Sequence, residues 1–94
     1  MKEIYYTPHL KLRIKFRDIP RNLPEEIYKE ARERYWDTKT FYHIAVKGVE
    51  FKGKLREMIV AYDETPDKIE IVTIHPLKPY QKDQRIKTGR WRIL

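Results

Sequence analysis

A chain of 94 residues has room for one small domain, which excludes two folding domains, a dinucleotide-binding pair or an eight-unit βα barrel. It carries 40% hydrophobic and 37% charged residues, enough for one core beneath an ionic surface, and a net charge of +7. Cysteine is absent, so disulfides and thiolate chemistry are excluded. The short apolar runs give no membrane span or signal segment, and the expected location is cytoplasmic.

The charge is unevenly placed. Residues 1–22 hold six basic and two acidic side chains, residues 76–94 six and one, and residues 23–75 nine and eleven. Two basic ends that met in the fold would form one face attractive to a polyanion. The alternative is an ordinary solvated surface of mixed charge.

In chain order, residues 3–7 read as a short strand. Residues 9–17 are ambiguous. Leu10, Leu12, Ile14 and Phe16 alternate with Lys11, Arg13, Lys15 and Arg17, the pattern of a half-buried strand. As a helix the same stretch stacks His9, Arg13 and Arg17 in one column at i, i+4 and i+8. Either reading keeps these three side chains together. Residues 24–36 read as a helix, with Asn22 as cap, Pro24 at the start, Glu25 and Glu26 in the first turn, and Ile27, Ala31 and Tyr35 at fourfold spacing. Strands follow within 41–51, 55–63 and 68–75, joined by turns at Lys52-Gly53-Lys54 and Glu64-Thr65-Pro66-Asp67. After Pro76 a surface helical turn over 79–88 ends at Gly89, and residues 90–94 return as an edge strand. The fold class is α+β.

Several chemistries lack their residues. The histidines His9, His43 and His75 show no metal-ligand spacing, there is no serine nucleophile, and Gly48, Gly53 and Gly89 are too scattered for a phosphate-cradling loop. No metal and no cofactor is expected. His43, between Tyr42 and Ile44, reads as structural. What remains is a basic, aromatic, histidine-bearing surface. Histidine can serve as base or acid near neutral pH, arginine matches phosphate oxygens, and exposed aromatics stack on unpaired bases. The candidate catalytic residues are His9, His75, Arg13 and Arg17. The candidate nucleic-acid contacts are Lys11, Tyr80, Arg85, Lys87, Arg90 and Trp91, although Arg90 and Trp91 also read as fasteners of the last strand, the reading favoured for Trp91.

The segment His9–Pro20 has the form H-x3-R-x3-R-x-I-P. Together with Thr73-Ile-His75-Pro76 and the closing Arg85-Ile-Lys-Thr-Gly89-Arg90-Trp91, it resembles a small prokaryotic family of uncharacterised domains. That family is grouped with the barnase, EndoU, colicin and RelE-like ribonuclease fold, many of whose members are toxins. The resemblance implies N-terminal helices packed on a four-stranded antiparallel meander sheet, with residues 9–17 helical. It implies a metal-independent ribonuclease of toxin-like type, with RNA as partner and an acidic antitoxin-like protein to neutralise it. Two other functions compete with it: a non-catalytic RNA- or DNA-binding module, and a protein-interaction domain.

Overall fold

The computed structural model describes residues 2–94. The elements in chain order are β1 (Glu3–Tyr6), α1 (Pro8–Arg17), α2 (Leu23–Glu30), β2 (Glu33–Asp37), β3 (His43–Phe51), β4 (Lys54–Glu64), β5 (Lys68–Pro76), α3 (Pro79–Lys87) and β6 (Trp91–Ile93). The strands form one sheet in the order β1-β5-β4-β3-β2-β6. β1 runs parallel to β5, and the other neighbours are antiparallel.

This overturns the expected four-stranded antiparallel meander behind N-terminal helices. Strands β2 to β5 run as an antiparallel meander, but β1 adds a parallel strand at one edge and β6 a further antiparallel strand at the other, so the sheet is six-stranded and mixed. The α+β class holds.

Residues 8–17 are a helix despite their alternation. Thr7 is extended and its Oγ1 accepts from the Leu10 amide at 3.2 Å, Pro8 opens the first turn, and Asp18 closes the helix in the left-handed region at φ 53°. Of the four alternating apolar residues only Leu10 is fully buried. Ile14 packs at the core margin, while Leu12 and Phe16 are exposed, Phe16 at 78%. The second helix ends six residues earlier than its periodicity predicts. Ala31 turns extended, and Tyr35 and Trp36, both strand formers, enter β2.

The two sheet faces carry separate cores. Leu10, Ile19, Leu23 and Ile27 from the α1–α2 side pack on Ala45, Met58, Val60, Ile69 and Ile71. On the opposite face Tyr35, Ile44, Val46, Ile59, Ala61, Leu77 and Trp91 meet Ile86 of α3.

The position of His75 follows from a β-bulge. The β4–β5 register pairs Tyr62 with Ile71 but Ala61 with Thr73, leaving Val72 as an extra residue. Without it, Ile69, Ile71 and His75 would share a face. With it, Ile74 joins Ile69 and Ile71 in the α1–α2 core, and His75 turns to the α3 face opposite Ile59.

Replacing Leu10 with Ala is expected to cost about 3 kcal/mol of unfolding free energy. Phe16→Ala, three-quarters exposed, should change it by less than about 0.5 kcal/mol. Urea titration of both variants checks the helical assignment, because a strand would make the two losses comparable.

Candidate nucleic-acid interface

α1 lies along the edge of β5 that β1 leaves uncovered. The Thr7 Oγ1 donates to the Val72 carbonyl at 3.2 Å, and Arg13 Nε donates to the Ile74 carbonyl at 2.7 Å. Two helix side chains thus satisfy carbonyls that would otherwise face solvent on an open strand edge. The column of His9, Arg13 and Arg17 runs along that edge. His9 and Arg17 are exposed, and Arg13 is partly buried by its bond to β5.

His75 is partly buried on the α3 face, and its Nδ1 lies 3.1 Å from the Pro76 carbonyl, a contact that places the proton on Nδ1 and leaves Nε2 as the acceptor. Burial pushes its pKa below the ordinary value of 6.5; the Pro76 carbonyl opposes this, and the positive charges of Arg13, Arg85 and Arg90 reinforce it. A neutral imidazole therefore sits within the field of three guanidinium groups drawn from both basic ends of the chain.

Arg85 and Arg90 are held by a buried knot. Asp37 is 2% exposed. Its Oδ1 accepts from the Lys39 and Thr40 amides at 2.9 and 3.3 Å and from Arg90 Nε at 3.2 Å. Its Oδ2 accepts from Arg90 Nη2 at 3.1 Å and from Trp91 Nε1 at 3.3 Å. Burial alone would raise the Asp37 pKa. The Arg90 hydrogen bonds and the two amides outweigh it and hold the carboxyl at about 2. Arg85 lies over the Trp91 ring, 5.1 Å from its centroid, and Tyr35 stacks on Trp91 at 5.2 Å. Trp91, 2% exposed, is therefore an anchor of β6, with no face free for a base.

The other candidates are dispersed. Lys11 lines a cavity with Tyr6, Ile14 and Arg21 on the β1 side of α1. Tyr80, at the start of α3, is 62% exposed, and Lys87 is exposed in its last turn. No hydrogen bond joins His9 to His75 among the described residues, and the two project from different layers. His43 is structural, stacked on Tyr62 at 5.2 Å with Trp36 edge-on at 5.1 Å.

Three further groups escape sequence reasoning. Asp37 lies just beyond the stretch that reads as helix, where Asp37-Thr38-Lys39-Thr40 has the composition of an Asx turn. Lys82 joins Glu33 of β2 and Glu57 of β4 at 3.1 and 2.8 Å, tying α3 to the sheet. The Glu57 contact first, against partial burial and helped by Glu33, pushes its pKa up to about 12. Arg56 and Lys52, from the β3–β4 hairpin, join Arg13 and Arg17 around a small groove.

No family model matches the chain, and no curated protein or solved structure matches it either. No helix among the described residues is long and apolar enough to cross a membrane.

Asp37→Ala should cost about 3 kcal/mol, because it strips Arg90, Trp91 and two amides of one acceptor. The depressed pKa sets the pH window. The carboxylate contributes about 2 kcal/mol, fully present above about pH 5 and lost as pH falls from the unfolded value through the folded one. Unfolding titrations between pH 6 and about 2 should show this loss in the wild type and its near absence in the variant.

Proposed function

We propose that the protein is a metal-independent ribonuclease of toxin-like type, acting on RNA at the Arg-flanked His75. The observation that carries this reading is a neutral imidazole, Nδ1 engaged with Pro76, whose Nε2 lies in the field of Arg13, Arg85 and Arg90. In this reading Nε2 of His75 takes the proton of a ribose 2′-OH. The 2′-oxygen then bonds to phosphorus, the P–O5′ bond breaks, and a 2′,3′-cyclic phosphate forms. The guanidinium groups stabilise charge developing on the phosphoryl oxygens. His9 serves as the acid that protonates the departing 5′-oxygen, reached across the β5 edge by the substrate. Arg13 spans that edge, and Arg17 extends the phosphate contacts along α1. Tyr80, Lys87 and Lys11 supply outlying contacts, and an acidic antitoxin-like protein is a partner chemically suited to such a surface.

A non-catalytic RNA- or DNA-binding module is the second reading, favoured by the separation of His9 and His75 into different layers. It predicts strongly salt-dependent binding with no product.

RNA incubated with wild type, His75→Ala and His9→Ala in EDTA separates the two. Cleavage by wild type, with at least a 100-fold loss in His75→Ala and a smaller one in His9→Ala, is expected. Intact RNA in all three would leave only the binding module. Because the base works deprotonated and its pKa is lowered, the acidic limb of the rate profile should fall below pH 6.5. A midpoint at or above that value would exclude His75 as the base.

A further inference from the structure

We infer that the groove between the C-terminal half of α1 and the β3–β4 hairpin is a second phosphate site, which holds an RNA phosphodiester other than the one cleaved. The inference rests on RNA as the ligand, but it does not require cleavage.

The groove has a volume of about 170 Å³, and its polar lining is entirely cationic: Arg13, Arg17, Lys52 and Arg56. Its floor includes Phe51 and Ile74, 8% and 0% exposed, and no carboxylate lines it. Among the described residues, none of the four cations forms an ion pair, whereas Lys2, Lys29, Lys47, Lys68, Lys82 and Arg90 each do. Four like charges gathered over an apolar floor repel one another, and an anion relieves that repulsion; Arg17, Lys52 and Arg56 are exposed, so a ligand can reach them from solvent.

The register of the sheet explains how hairpin residues reach α1. Arg56 pairs with Val49 and Lys54 with Phe51, so Arg56 projects on the α1–α2 face. Lys52 takes the left-handed conformation at φ 51°, ahead of Gly53 at φ 78°, and its Nζ lies 5.3 Å from the Phe51 ring centroid. The turn therefore delivers one cation beside the floor, and β4 delivers a second. α1 brings the other two one helical turn apart.

Arg13 makes the groove continuous with His75. Its Nε is spent on the Ile74 carbonyl, which leaves both Nη groups as donors. The same guanidinium lines the groove and depresses the His75 pKa from across the edge of β5. A single strand of RNA passing round that edge would meet His75 on one face and the groove on the other. A phosphodiester backbone fits this path, since it presents one anion per nucleotide. An acidic peptide offers carboxylates without that regular repeat.

The probe is a fluorescent 12-nucleotide 2′-O-methyl RNA, which cannot be cleaved at its 2′-oxygens, read by anisotropy across a salt series. Asn accepts the left-handed backbone at position 52, so the test variant is Lys52→Asn/Arg56→Gln. It should bind about tenfold more weakly at roughly 0.1 M salt, with the log–log salt slope reduced by about 1.4 for two lost single-strand contacts. Lys54→Gln, on the same hairpin but outside the groove, should bind within about twofold of wild type. Circular dichroism confirms that each variant is folded. Equal affinity and slope in wild type and double variant overturn the inference, as does displacement of the RNA by poly-glutamate at equal charge concentration. An uncleaved natural RNA together with the groove effect would remove the catalytic reading and support the groove.

Discussion

The bulge at Val72 governs what each side of the sheet presents. Strand side chains alternate strictly, so one extra residue reverses every position after it. Ile74 is thereby placed in the α1–α2 core with Ile69 and Ile71, and His75 is carried to the face of α3. The Ile74 carbonyl, beyond the end of β1, is left for Arg13. The histidine, the arginine that touches its strand, and the edge between them are all arranged by this one irregularity.

The basic ends of the chain do converge, although not by lying side by side. β1 and β6 occupy opposite edges of the sheet. Long side chains close the distance instead: Arg13 approaches from the first third of the chain, and Arg85 and Arg90 from the last. Asp37 is the acidic counterweight that fixes Arg90 and Trp91, while Lys82 is neutralised by Glu33 and Glu57. Arg90 and Lys82 are thus paired with carboxylates, and the four cations around the groove are not.

The meander was legible because its alternation, its Lys52-Gly53-Lys54 turn and its proline boundaries agree with one another. The helix over residues 8–17 was not legible from alternation. Leu12 and Phe16 are apolar without being buried, so the pattern describes a strand that does not exist, whereas the Thr7-Pro8 start describes the real element. Tyr35 misled in the opposite way: its spacing from Ile27 and Ala31 fits a helix, yet it faces the other core from β2. The column His9, Arg13, Arg17 was legible because both readings preserve it. The side of the sheet occupied by His75 was hidden by the bulge, and the groove was hidden because Arg56 and Lys52 join α1 only through tertiary packing.

The parallel pairing of β1 with β5 also shapes how the chain assembles. The β3–β4 hairpin closes over a two-residue turn and forms on the microsecond scale. β1 can pair only after Glu3 finds Lys68 and Tyr6 finds Ile71, contacts that require most of the chain to be looped. α1 follows directly from β1 and leans on the edge of β5, so its place depends on that late contact. The cationic column is therefore held by contacts between distant parts of the chain, and fraying of β1 would loosen its start while Leu10 and Arg13 still hold α1 to the core and to β5.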